Sequence, residues 1–201
     1  MKRFSDRVYR AWRFFAHCLL RMAHPVVRIR GRENVPQGAA VIAANHSSFT
    51  DAIWVHIAAK PQRRPLTMAK KELMEIPILG KLYHKLGAFP VDREGSDIQA
   101  IKTSLQCLRD DNKLVIFPEG TRIRKGKISQ PHKGTVMIAC RAKVDILPVY
   151  LTAKKRFFCP IDIVIGKPYA PEFEGAKPTA EDLERLTDEM MRTIYRLGDK
   201  Q

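Results

Sequence analysis

The sequence predicts an α/β fold: a single domain on a mixed, largely parallel sheet flanked by helices, with an amphipathic helix at its N-terminus. Three observations predict it. Short apolar runs alternate with segments of helical period. Several runs end in polar, chemically capable residues, as strands of open α/β sheets do at their carboxyl ends. The segments abut without linker, repeat or low-complexity stretch, and 201 residues at 45% hydrophobic composition suit one core.

Residues 1–24 form the first element. Phe4, Val8, Trp12, Phe15, Leu19 and Met22 recur every three or four residues and fall on one stripe. Arg3, Arg7, Arg10, Arg13 and Arg21 lie beside or opposite it. Such a helix suits a membrane interface, with its apolar face in lipid and its cations on anionic headgroups. The bland alternative is a helix packed on its own domain. Pro25 ends it, and residues 25–201 make the α/β domain.

The domain reads as follows. GAAVIAAN (38–45) is a buried strand and DAIWVHIAAK (51–60) a helix. PLTMA (65–69) is a strand. KELMEIPILGKLYHKLG (71–87) is a helix broken or kinked near Pro77. AFPVD (88–92) is extended, and Ser96 is placed to cap the helix that starts DIQAIK. KLVIF (113–117) is a strand, 131–143 a helix, and DILPVYLTA (145–153) and CPIDIVIG (159–166) are extended. Thr179 and Asp182 resemble a capping box opening the last helix.

Charge and cysteines narrow the function. Thirty-six Lys and Arg against 21 Asp and Glu give a net charge of +15. That excess favours an anionic partner: nucleic acid, membrane surface or phosphorylated small molecule. Cys18, Cys107, Cys140 and Cys159 form no CxxC pair, so no zinc or redox motif is present, and reduced thiols in a cytoplasmic setting are expected. The apolar runs fall far short of the ~18 residues of a membrane span. A membrane partner would therefore be met from the surface.

The stretch NHSSFTD (45–51) carries the sharpest chemistry. Positions five apart on one helix are about 140° out of phase, so His46 and Asp51 would not meet there. They can meet if His46 sits in the turn after the strand and Asp51 in the first turn of the next helix, with Ser47 or Ser48 as its cap. Asp51 would be favoured as an anion by the helix dipole and would hold one imidazole nitrogen. The other nitrogen would be free to accept a proton. The bland alternative is a polar turn. No nucleophile is evident nearby, and an incoming hydroxyl could supply one.

KLVIFPEGTR (113–122) repeats the pattern. Gly120 permits a tight turn or close ligand approach. Thr121 adds a hydroxyl donor, and Arg122 offers a planar fork suited to phosphate. Glu119 completes the group, which could also be a solvated turn. Arg93, after the strand AFPVD, and Lys70, in AKKEL, are further cations near strand ends. The basic segment IRKGKISQPHKG (123–134) either covers a phosphorylated substrate or is solvated.

In this order, NHSSFTD, GAFPVDRE, FPEGTR and ILPVYL resemble the four blocks of the glycerolipid acyltransferase family, most nearly its bacterial 1-acylglycerol-3-phosphate O-acyltransferases. The resemblance spans roughly residues 30–170. It implies acyl transfer from a thioester, acyl-CoA or acyl carrier protein as co-substrate, to the sn-2 hydroxyl of lysophosphatidic acid, giving phosphatidic acid. It implies His46 as base and Asp51 as its orienter. It implies Glu119, Gly120, Thr121 and Arg122 at the acceptor, with Arg93 and Lys70 as further phosphate partners. No cofactor, metal or nucleic acid is expected. The expected location is the cytoplasmic face of the membrane, held peripherally or monotopically on anionic lipid. Competing readings are another acceptor (glycerol 3-phosphate, another lysophospholipid, a lyso-aminolipid), a thioesterase, an inactive membrane-binding relative, or a basic nucleic-acid-binding module.

Overall fold

The structure, a computed structural model, describes residues 6–61, 63–77, 79–92, 97–122, 130–153 and 155–199. Seven strands form one sheet: β1 (Val27–Arg30), β2 (Ala40–Ala44), β3 (Leu66–Lys70), β4 (Ala88–Val91), β5 (Lys113–Ile116), β6 (Ile146–Leu151) and β7 (Ile161–Ile165). Their spatial order is β1-β7-β6-β2-β5-β3-β4. Every neighbouring pair is parallel except β6 and β7. The fold is thus the mixed, largely parallel α/β sheet that the sequence predicts.

The helices are α1 (Asp6–Ala23), α2 (Asp51–Ala59), α3 (Lys71–Glu75), α4 (Leu79–Lys85), α5 (Ile98–Arg109), α6 (Gly134–Ala142) and α7 (Ala180–Asp199). They cover both faces of the sheet, so β2 is buried on both sides. Its side chains alternate. Val41 and Ala43 join a core with α5, α6 and α7, while Ile42 and Ala44 join one with Trp54, Val55 and Ala58 of α2.

Several boundaries move for local reasons. The helical stretch 71–87 divides into α3 and α4, because Ile76, ahead of Pro77, is extended. The helix read from 131 begins at Gly134, since the His132 amide donates to the Pro118 carbonyl (2.7 Å). Ser96 and Arg93 lie outside the described residues, and Asp97 caps α5 by accepting from the Ala100 amide (2.8 Å). Thr179 and Asp182 do form a reciprocal box. β1 was not legible. VRIR mixes charge with small apolar residues, and it pairs only as an edge beside β7, where Arg28 and Arg30 approach Asp162.

α1 resolves into two faces. Tyr9 is buried and its hydroxyl bonds His56 Nδ1 of α2 (3.0 Å), Trp12 packs edge-on to the same ring, and Arg13 donates to the Pro61 carbonyl. Val8, Phe15, Leu19 and Met22 of the predicted stripe stay exposed, while Trp12 turns inward. Phe4 and Arg3 lie outside the described residues.

Candidate active site

β2, β3, β4, β5 and β6 run in one direction, so the residues that follow them gather along one edge of the sheet. Asn45 aligns two of these ends. Its side-chain amide donates to the Leu151 carbonyl (2.9 Å) and its oxygen accepts from the Leu151 amide (2.7 Å). The chain beyond β6 is thereby laid alongside NHSSFTD.

His46 and Asp51 meet as the spacing predicts. Nδ1 of His46 lies 2.9 Å from Asp51 Oδ2, with Asp51 in the first turn of α2. The serines act differently from expectation. The N-cap is Thr50, with no side-chain cap bond. Instead the Ser47 and Ser48 amides both donate to Asp51 Oδ2 (2.6 Å each), and Ser48 Oγ accepts from the Thr50 amide (3.3 Å). Burial alone would raise the Asp51 carboxyl. The His46 bond, the Lys155 charge and the Ser48 amide outweigh it and hold the group below its ordinary range.

Lys155 was missed by sequence reasoning. Its Nζ lies 2.6 Å from Asp51 Oδ1, an oxygen with no well-aligned hydrogen bond. The ammonium also donates to Ser47 Oγ (3.1 Å) and the Thr152 carbonyl (2.7 Å).

The His46 ring stacks on Phe117 at 4.3 Å between centroids. Among the described residues its Nε2 has no partner, and His46 lines a cavity of about 590 Å³. Ile53, Met68, Leu86, Ile101, Met137 and Ile138 give the cavity an apolar wall. Trp12, His56 and Thr67 contribute as well, which ties α1 to it. His56 bonds Tyr9 and Thr67 through its two nitrogens, and burial, with the Arg13 and Arg64 charges, pushes it down to about 4. It is therefore a neutral part of the wall.

The other predicted residues divide. Lys70, at the end of β3, lines the cavity and pairs with Glu72 (2.8 Å). Gly120 lines it with a positive φ of 67°, and a methyl group there would collide with His132. Arg122 is not among the lining residues, but its guanidinium lies 3.4 Å over the ring of Phe49, which is. Thr121 is exposed, and its hydroxyl turns back to the Arg122 carbonyl. Glu119 is fully buried and is not among the cavity-lining residues. Oε2 accepts from the His46 amide (2.7 Å) and Oε1 from the Tyr195 hydroxyl (2.5 Å). Burial raises its carboxyl, opposed by those two donors. Its contact is with the backbone that carries the base. Tyr195, from α7, was not foreseen.

A base with an orienting carboxylate, opening on an apolar cavity with cations at its rim, can deprotonate a hydroxyl beside an acyl chain. Known proteins similar to this chain are acyltransferases. A family model described as Acyltransferase matches residues 26–152. A 1-acyl-sn-glycerol-3-phosphate acyltransferase of Bacillus subtilis (strain 168) is 31% identical over 180 residues, covering 87% of this chain and 89% of its own length. One from Pseudomonas aeruginosa is 28% identical over 186 residues, covering 87% of this chain and 71% of its own. The crystal structure of the 1-acyl-sn-glycerophosphate (LPA) acyltransferase, PlsC, from Thermotoga maritima superposes with a TM-score of 0.72. It covers 95% of this chain and 80% of that one at 23% identity, a likeness of fold.

Proposed function

The chain belongs to the acyltransferase family, and from that premise we propose that it acylates the sn-2 hydroxyl of 1-acylglycerol 3-phosphate to give phosphatidic acid. The acyl donor is a thioester of coenzyme A or acyl carrier protein. The observation that carries this reading is His46 Nε2, without a partner among the described residues and at an apolar cavity, with Nδ1 tied to a buried carboxylate. Nε2 takes the proton of the acceptor hydroxyl as its oxygen attacks the thioester carbonyl carbon. The new C–O bond forms, the C–S bond breaks, and the departing thiolate takes up the proton. Asp51 orients the imidazole and balances its charge when protonated. The acyl chain occupies the apolar cavity, and Arg122 and Lys70 at its rim meet the phosphate.

The test is direct. In mixed micelles, purified protein with palmitoyl-CoA, or with palmitoylated carrier protein, and lysophosphatidic acid should release thiol and form phosphatidate in equal amounts. Thiol release without phosphatidate would mean water is the acceptor, and the reading would fall. Transfer to glycerol 3-phosphate or another lysophospholipid, with lysophosphatidic acid inert, would keep the reaction class and replace the acceptor.

The same reading places the protein on the cytoplasmic leaflet. Among the described residues no helix is long and apolar enough to cross a membrane. α1 presents exposed Phe15, Leu19 and Met22 with Arg7, Arg10 and Arg21 on its outer surface. Buried apolar area plus attraction to anionic lipid gives interfacial binding. A Phe15→Glu, Leu19→Glu double variant should partition into anionic vesicles roughly tenfold or more weakly in flotation. Equal flotation would remove α1 from the membrane contact.

A further inference from the structure

Lysine is almost never fully buried unless paired. The Lys155 side chain is 3% exposed and that of its partner Asp51 0%. The ammonium donates to Ser47 Oγ and the Thr152 carbonyl and forms an ion pair with Asp51 Oδ1. The position is built rather than incidental. β6 runs parallel to β2, and Asn45 clasps the end of β6 from the end of β2. Thr152 is then fixed from its far side, its amide donating to the Asp162 carbonyl and its hydroxyl accepting from the Asp162 amide (2.8 Å). Two strand ends, joined at their bases, therefore deliver a cation to one carboxylate oxygen and an imidazole to the other.

We propose that Lys155 is a positioning residue of the active site, whose charge holds Asp51 as a carboxylate and offsets that carboxylate's pull on a proton at His46. The inference rests on His46 acting as the base. A lone buried carboxylate at 2.9 Å would favour the imidazolium over the neutral base. With Lys155 on the other oxygen the Asp51–Lys155 pair is neutral overall, and the pull is reduced. Other charged and titratable groups near His46 do not replace it. Glu119, with Tyr195 from α7, sits at the His46 amide. His132 packs at Gly120, and Arg122 lies over Phe49. Lys70, on β3, faces the shared cavity. Of these described groups, Lys155 is the one paired with Asp51 Oδ1.

A purely structural lysine and a charge-setting one differ in pH behaviour. The dependence of kcat/KM on pH would be measured for wild type, Lys155→Met, Lys155→Gln and Lys155→Arg by phosphatidate formation. Removing the cation favours protonated His46, so the acid limb moves to higher pH. The neutral variants should lose about tenfold at pH about 6 and less than about threefold at pH about 9. Lys155→Arg should follow the wild-type limb. Loss by one factor at every pH, or no loss, would make Lys155 structural and overturn the proposal. Should the neutral variants fail to fold, a displaced limb in folded Lys155→Arg would overturn it and an undisplaced one would support it. NMR titration of the His46 ring proton needs no substrate: its midpoint should rise in Lys155→Gln, and an unchanged midpoint would refute the idea. Wild type that makes no phosphatidate, with the midpoint still raised in Lys155→Gln, would overturn the proposed reaction and leave the charge relation standing.

Discussion

His46→Ala should lower phosphatidate formation by about 10²–10⁴-fold, the usual contribution of a positioned general base, while the protein stays folded. The two halves of that expectation come from separate atoms. The ring carries the chemistry: Nδ1 on Asp51 and Nε2 toward the cavity. The backbone carries the loop: the His46 amide donates to Glu119, and a substitution to alanine keeps that bond. Asp51 loses one donor but keeps the Ser47 and Ser48 amides and the Lys155 ammonium, so no uncompensated buried charge is created. Stability should therefore change by about 1 kcal/mol, the value of one hydrogen bond. KM for lysophosphatidic acid should shift little, because the phosphate is assigned to Arg122 and Lys70. Coupled thiol-release and phosphatidate assays with a denaturant melt read all three quantities. Wild-type turnover in the alanine variant would remove His46 as base. A matching collapse of the melt would make the activity loss uninterpretable as chemistry, and in that case His46→Gln, which retains a polar side chain at the position, separates the two.

The first half of this site could be seen in the sequence because it is local. His46 and Asp51 lie within one strand-to-helix turn, and the period argument alone excludes a continuous helix between them. Gly120 and Arg122 were visible for the same reason, as the polar end of a buried strand. What stayed hidden depends on pairing between strands. Lys155 lies 108 positions from Ser47, whose hydroxyl it binds. In AKKRFF it reads as one more solvated lysine in a chain of net charge +15. The signal that could have found it is its place just beyond ILPVYL, a buried strand that ends on the same edge as NHSSFTD. Using that signal required knowing that β6 neighbours β2, and sequence order does not say so. Glu119 shows the converse. The resemblance implies a place at the acceptor, and the structure lays its buried carboxylate on the His46 amide and the Tyr195 hydroxyl. α1 left two readings open because periodicity reports a stripe and not its partner. Tyr9, off the stripe, makes the buried contact.

Asp51→Asn should damage both stability and rate, and the reason is the same buried charge. The amide oxygen can keep the bonds from the Ser47 and Ser48 amides and from His46 Nδ1, which all converge on Oδ2. The amide nitrogen then faces the Lys155 ammonium, donor against donor, at the place where Oδ1 lies 2.6 Å from Nζ. With the Lys155 side chain only 3% exposed, solvent does little to screen the mismatch. Breaking a buried pair from one side costs roughly 3–5 kcal/mol. The rate should fall at least about 10²-fold, since a neutral amide no longer balances the imidazolium. The sign with pH follows from the depressed Asp51 carboxyl. Its contribution is complete above the ordinary aspartate value of 3.8 and is lost as pH falls through the lower folded value. The stability gap between wild type and variant should thus be full at pH about 6 and close only below that ordinary value. Adding Lys155→Met to Asp51→Asn should recover part of the stability, because the stranded cation is gone, and recover none of the rate. An unchanged denaturation midpoint for Asp51→Asn would show that Lys155 does not depend on Asp51 for its charge. A double variant less stable than Asp51→Asn alone would show that Lys155 holds the loop through Ser47 and Thr152 rather than through the carboxylate.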